Sequence, residues 1–344
     1  MTIRDYDLLI PMDVDKKKIH AVIMDQERIL GKMTFPYDAQ NIFQYVQKKF
    51  AGQKVLFAYE AGPTGYGLYD FFMEKKANCV VAVPSMIPRA PGERVKTNRL
   101  DAVRLGHQLK GGELKFVQVP EKLYRDLKHL VRLRCRYGKG IIATKNRLKG
   151  IFLFEGLAFP EGKWSSRVIN ELKQVCYRQA VAFKVGELLR DFEYYRKEEL
   201  TVKAEIRRFC RSNQELKDDV GYLMSLPGVG WIVSTYILAA IGGRKHLKNT
   251  ASTCHFFGLG PREHSTGELI RRGSITAAGD PTGRKMIIQA AWVAVRKDQA
   301  LRDYFWKIFA RNPKQIAKQK AIVAVARKLL CRMHAVLRDQ RLYQ

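Results

Sequence analysis

The sequence predicts an α/β plus α fold: a mixed α/β domain at the N-terminus, a long helical segment, and a mainly helical C-terminal domain. Three observations predict it. Residues 6–110 alternate short apolar runs with helix-spaced ones. Residues 165–209 carry a long helical pattern rich in Leu, Val, Tyr and charge. A chain of 344 residues is also long for a single core. Domains are expected at 1–150, 151–218 and 219–344.

The elements follow in order. Residues 6–12, 19–24 and 29–35 are apolar runs joined by short polar links, which reads as an antiparallel meander. The first run ends at Asp13-Val14-Asp15. In residues 38–50, Ile42, Phe43, Val46 and Phe50 share one helical face, and Gly52 follows as a stop. Residues 55–58 form a buried strand ending at Tyr59-Glu60. A turn at 61–65, a helix at 66–76 and a strand at 79–83 come next. A loop with Pro84, Pro88, Pro91 and Gly92 precedes a helix near 98–110. Three strands, then helix, strand, helix, strand, helix, is a mixed five-stranded pattern whose crossovers must be right-handed. It matches the RNase H-type arrangement of nucleases and integrases.

That arrangement gathers ligands at strand ends and on the last helix. Here Asp13 ends the first strand and Glu60 the fourth, while Asn98 and Asp101 stand three apart on the last helix and share a face. Asp101 is a lone acid in the basic stretch from Arg94 through Ala102. Three carboxylates on one sheet edge could hold Mg²⁺, with phosphate oxygens completing its shell. One at a time, Asp13 reads as a turn acid, Glu60 as a helix-flanking acid and Asp101 as an exposed helix-start acid. Their joint placement favours the site. Asp15 is the local alternative to Asp13.

Composition narrows the partner. Lys and Arg number 62 against 33 Asp and Glu, a formal charge of +29. An excess of this size, spread along the chain, excludes an ordinary small-molecule enzyme and points to a polyanion. Binding should weaken steeply with salt. Residues 121–149 are helical and basic, with Arg132, Arg136, Lys145, Arg147 and Lys149 among few acids, and read as a nucleic-acid surface. They lack the continuous apolar face that membrane binding needs. The six cysteines form no Cys-x-x-Cys pair, which excludes a zinc ribbon and a disulfide framework. The residues from Met1 to Asp5 carry no apolar signal region, and no apolar run is long enough to span a bilayer. A cytoplasmic, bacterial location, with nucleoid association when bound to DNA, is expected.

Within residues 165–209, Gly186 marks a candidate break, and a helical hairpin or a coiled-coil dimer arm fits the pattern. Leu226-Pro227-Gly228-Val229-Gly230 before the helix at 231–241 resembles a helix-hairpin-helix turn. The backbone N–H groups near Gly228 and Gly230 could bind phosphates, and a tight interhelical turn is the competing reading. A polar loop at 255–267 and the basic pair Arg271-Arg272 follow. The tail from residue 284 is helical, basic and aromatic.

These motifs carry a family resemblance. Asp13 with Lys16, Tyr59 through Gly65, Lys96 through Ala102, Leu226 through Gly230, and Gly258-Leu259-Gly260-Pro261 through Ser265-Thr266-Gly267-Glu268 to Thr276 occur in the order and spacing of the DEDD transposases of the insertion-sequence-110 type, the bridge-RNA-guided recombinases. The resemblance covers nearly the whole chain; the helical region at 165–219 has little signature. It implies a RuvC-like N-terminal domain, a coiled-coil linker and a C-terminal domain bearing a serine nucleophile. The family's four acids map to Asp13, Glu60, position 98 and Asp101. Position 98 is Asn here and departs from the pattern; its carbonyl oxygen can still ligate Mg²⁺ with one less negative charge.

Two hydroxyls compete for the nucleophile. Thr266 lies directly before Gly267, as the family serine lies before a Gly. Ser265 is preferred because a primary hydroxyl attacks phosphorus with less hindrance, and either could simply form a turn. The resemblance also implies donor and target DNA, a structured noncoding guide RNA, and a homo-oligomer, dimeric or tetrameric in the synaptic complex. A junction-resolvase-like metal nuclease, using the acids but no serine, is the alternative. A non-catalytic nucleic-acid-binding protein is the third reading, with Asn98 as its mark.

Overall fold

The computed structural model describes residues 2–87, 98–247, 249–263, 272–276 and 278–344. The chain divides into two compact units, Met1–Val119 and Pro120–Gln344.

The first unit holds β1 (Leu8–Val14), β2 (Lys18–Met24), β3 (Ile29–Pro36), α1 (Ala39–Lys49), β4 (Val55–Glu60), α2 (Gly67–Glu74), β5 (Asn78–Ala82) and α3 (Asn98–Lys110). The five strands form one mixed sheet in the order β3-β2-β1-β4-β5. β1 pairs antiparallel with β2 and parallel with β4, and β5 pairs parallel with β4. The element order is the one that the apolar runs and helical spacing predict.

Strand periodicity sorts the core into two faces. Ile10, Met12, Phe57 and Tyr59 pack with Ile42 and Val46 of α1 and Leu68 and Phe72 of α2. Leu9, Leu56 and Ala58 pack on the other face with Leu105 and Leu109 of α3. Alternate residues of β1 and β4 thus point toward α3, which fixes which acids can meet it. Asp38 starts α1 by accepting the N–H of Gln40 at 2.9 Å. The β5 edge is covered rather than open: Val83 N–H donates to Lys115 O, Val117 N–H donates to Val81 O, and Ala82 bridges Phe116.

The second unit is helical. It contains α4 (Lys122–Phe154), α5 (Ser166–Gln174), α6 (Gln179–Arg211), α7 (Gln214–Met224), α8 (Trp231–Ile241), α9 (Thr250–Phe256), the strands β6 (Pro261–Glu263) and β7 (Arg272–Ile275), α10 (Pro281–Lys297), α11 (Gln299–Ala310) and α12 (Lys314–Asp339). Two readings of the sequence need correction. Gly186 does not break the long helix: α6 runs continuously from Gln179 to Arg211, with Val185, Leu188 and Leu189 around it buried in the core. The division comes earlier, at residues 175–178, between α5 and α6. The basic helix also runs unbroken through residue 150 and belongs to the second unit.

α4 and α6 pack antiparallel. The N-terminal half of α4 (Tyr124, Leu127, Val131) joins the C-terminal half of α6 (Val202, Ile206, Cys210) in the large core shared with α7 to α12. Their other halves (Leu148, Phe152; Val185, Leu189) form a separate core with α5. At the base, buried Asp219 of α7 accepts Arg244 Nη1 at 2.7 Å and the Tyr124 hydroxyl at 3.2 Å. Among the described residues, no helix is long and apolar enough to cross a membrane.

Candidate functional site

Asp13 is the penultimate residue of β1, one short of the strand end where the apolar run places it, with His20 of β2 as its cross-strand partner. Glu60 is the last residue of β4, one step past Tyr59, which is paired with Met12. By the alternation above, Asp13 and Glu60 both belong to the face covered by α3. The turn after Glu60 is pinned by the Tyr59 hydroxyl, which donates to Gly65 O at 3.0 Å. Asp101 sits in the first turn of α3, which packs on β1 and β2. A Cβ on Gly106 would fall 2.6 Å from Met24 Sδ and 2.8 Å from Pro11 Cγ. Only glycine lets α3 settle this deeply and carry Asp101 to the sheet.

The three acids share an electrostatic field. The Asp13 carboxyl is pushed above the usual carboxylate range by its half-burial first and then by Asp101, with His20 opposing and Glu60 and Asp15 adding. Asp101 is not idle, since Arg104 Nη2 reaches its Oδ1 at 2.6 Å. Asp15 serves the β1–β2 turn instead: its Oδ1 accepts Lys16 N–H at 2.6 Å, past the end of the strand. That separates the turn acid from the site acid. Among the described residues, no group of three or more His, Cys, Asp or Glu side chains could hold a metal ion as it stands. The acids share an edge and a field rather than a closed coordination shell. Sequence reasoning missed His20, whose Nδ1 lies 2.9 Å from Thr34 Oγ1, and Arg104. The β1–β2 register places His20 opposite Asp13, and no local motif announces it.

The remaining candidates fall as follows. Lys96, Ser265, Thr266 and Arg271 lie outside the described residues. Asn98 and Arg99 open α3 and Arg272 opens β7, but their side chains lie outside the described part. The strands flanking residues 264–271 in sequence pair antiparallel, Pro261 with Ile275 and Glu263 with Arg272. Arg132, Arg136, Arg147 and Lys149 are exposed on α4. Lys145 is partly drawn into the helical hairpin, with its ammonium 5.1 Å from the Trp164 ring centre. Its pKa is lowered by burial, then by Arg196 and Lys149.

Gly228 (φ +83°) turns the chain between α7 and α8, and a Cβ there would strike Ala290 O and lie 2.7 Å from Ala294 N. This glycine lets the turn seat on α10. Gly230 caps α8 and has no neighbour within 4 Å of an added Cβ.

Comparison with known proteins adds the following. A DEDD-type IS110 transposase family model matches residues 10–154. A second, described as the transposase IS116/IS110/IS902 family, matches residues 220–305. The chain is 30% identical over 313 residues to the putative transposase y4qE of Sinorhizobium fredii, covering 84% of this chain and 77% of that one. It is 24% identical to the transposase for insertion sequence element IS1111A of Coxiella burnetii, over 72% of this chain and 68% of that one. A pilin gene-inverting protein of Moraxella bovis is 27% identical over 138 residues, 40% of this chain and 42% of that protein.

Proposed function

The chain belongs to the IS116/IS110/IS902 family of insertion-sequence transposases, and from that premise we propose that it joins donor and target DNA through a phosphoserine intermediate at a metal-dependent, RNA-guided site. The observation that supports the proposal is the placement of Asp13 and Glu60 on the sheet face that α3 covers, with Asp101 in the first turn of α3.

The donor set suits a hard divalent cation in kind and in charge. Carboxylate oxygens that repel one another are stabilised by a cation between them. Asp13, Glu60, Asp101 and the Asn98 carbonyl oxygen would hold Mg²⁺. Bound there, it would supply charge stabilisation to the phosphate and the leaving oxygen. Arg104 then has a second use. It pairs with the Asp101 carboxylate and would limit the negative charge that collects at the edge.

The Ser265 hydroxyl attacks a DNA phosphorus, with Thr266 as the alternative nucleophile. The Oγ–P bond forms, the bond from phosphorus to the 3′ oxygen breaks, and the departing oxygen takes a proton to become a 3′-hydroxyl. The ester conserves the phosphodiester bond, so a 3′-hydroxyl from the second duplex reseals the strand without hydrolysis. A relative named for inverting a gene supports cutting followed by rejoining over simple hydrolysis. Subunits of a homo-oligomer, a dimer or a synaptic tetramer, supply acids and serine to each other. Lys96, Arg99, the exposed Arg132, Arg136, Arg147 and Lys149, the Lys145 ammonium, and Arg271 and Arg272 hold DNA and guide RNA by backbone and shape. The reaction takes place in the bacterial cytoplasm, on the nucleoid.

The test is to trap the protein–DNA adduct with Mg²⁺ present and map it by mass spectrometry. An adduct on Ser265 that is absent from Ser265→Ala supports the reading. Cleavage that persists in both Ser265→Ala and Thr266→Ala would establish a water-using nuclease instead.

A further inference from the structure

The helical unit contains a cavity of about 630 Å³ whose lining includes Arg132 and Arg136 of the proposed nucleic-acid surface. The volume lies within the range of about 300–1,000 Å³ typical of small-ligand pockets. One wall is α4, where Lys128, Arg132, Arg136 and Lys139 recur at helical spacing and share a face. The rest comes from α8 (Tyr236), the end of α9 (Phe256) and the start of α10 (Asp280).

Three features separate this cavity from a gap in packing. The first is its unpaired charge. None of the four cations makes a salt bridge with a described acid, whereas Arg134, on another face of the same helix, is held by Glu199 at 2.9 Å. The crowding is felt at Lys128, whose ammonium is pushed below its ordinary pKa by burial and then by Arg132, with Asp280 opposing only in part. An anion would relieve that repulsion.

The second feature is that the acid in the wall is already committed. Asp280 accepts the Tyr236 hydroxyl at 2.8 and 3.0 Å and caps α10 through the N–H groups of Thr282 and Gly283. The third is Phe256, which is 44% exposed and lines the same cavity as the cations. A row of cations beside one exposed ring suits a ligand with a phosphate at one end and a flat, apolar face at the other. Inorganic phosphate would leave the ring and most of the volume unused. A duplex keeps its bases stacked and would present only phosphate.

We propose that this cavity binds one unstacked nucleotide of a single nucleic-acid strand, with its phosphate against Arg132, Arg136 and Lys139 and its base against Phe256. The proposal rests on the reading of the chain as a nucleic-acid enzyme. DNA and RNA offer the same chemistry, so the experiment carries both.

Cys135 also lines the cavity, while Cys176 is exposed and does not line it. Full-length protein is alkylated with or without a short single-stranded oligodeoxynucleotide, the matching oligoribonucleotide, or the duplex. Each cysteine is then followed by peptide mass mapping. A single strand should slow labelling of Cys135 several-fold and leave Cys176 unchanged, and the duplex should protect less. The strand that protects at the lower concentration identifies the source as DNA or RNA. Phe256→Ala should weaken strand binding about tenfold and remove the protection, while Phe256→Trp keeps both. Arg136→Ala should lower the slope of log affinity against log salt by about one. Binding of a strand with Cys135 labelled at its unprotected rate would overturn the cavity alone. Loss of all strand binding by the unaltered protein would overturn the cavity and the proposed function together.

Discussion

Replacing Gly228 by Ala tests whether the turn between α7 and α8 is shaped for packing or for phosphate. Its backbone sits at φ +83°, where an L side chain costs about 1–2 kcal/mol. The new methyl would also strike Ala290 O and lie 2.7 Å from Ala294 N, which are backbone atoms of α10 that cannot rotate aside. Forced overlap in a packed interior adds about 1–3 kcal/mol. The sum is roughly 2–5 kcal/mol. At about 2–4 °C per kcal/mol for a unit of this size, the melting temperature should fall by roughly 4–20 °C in a calorimetric or circular-dichroism scan. Gly230 is the internal control, with φ −96° and nothing within 4 Å of an added Cβ. Its change to Ala should cost below about 1 kcal/mol. A Gly228→Ala variant that melts like the parent but loses DNA affinity would refute the packing argument and make the turn a phosphate site. A Gly230→Ala variant that keeps its melting temperature but binds DNA more weakly would point the same way.

Four further outcomes are expected. Gly106→Ala should depress metal-dependent recombination well beyond its effect on melting, because the methyl wedges α3 away from Met24 and Pro11 and carries Asp101 with it; equal melting and equal activity would show that the close approach is unimportant. Asp219→Ala should lower the urea midpoint with an unchanged slope, towards the lower end of the about 3–5 kcal/mol expected for a broken buried pair, since Glu215 stands 3.8 Å from Arg244 as a weaker substitute. Buried His334 has a pKa lowered by burial and Arg338, with Asp339 opposing. The unfolded chain therefore takes up more protons, so stability should be intact above pH 6.5 and fall as pH drops below it, and His334→Leu should flatten that dependence in pH-resolved melts. Asn98→Asp should preserve or strengthen Mg²⁺-dependent recombination, and loss of activity would remove residue 98 from the metal shell.

Much of the α/β unit was legible because its signals are local. Short apolar runs bounded by polar links became strands at nearly the expected positions, and Glu60 ends β4 as the pattern required. β1 runs one residue past Asp13, which the apolar run places at its end. The apolar run stops at Met12, but backbone pairing with His20 and Ile19 carries β1 on to Val14. A hydrophobic pattern records burial, whereas a strand ends where its ladder ends. Gly186 was misjudged for a related reason: helix propensity is weak beside the buried side chains on either side of it. His20, Arg104 and the cavity were not legible at all. Each depends on partners brought together by register or by helices that are distant in sequence.

The paired helices α4 and α6 have one more consequence. Each has 33 residues, so each is a rod of about 50 Å. Along such a rod, distance and direction are coupled: each residue advances about 1.5 Å and turns about 100°. Removing one residue from both helices would shorten the rod slightly but swing the exposed Leu153, Phe154 and Phe183 at its far end to another side. Removing seven would shorten it by about 10 Å and restore the heading to within about 20°. Length in this hairpin can therefore change only in matched, phase-keeping steps, and a series of such deletions would read distance apart from orientation.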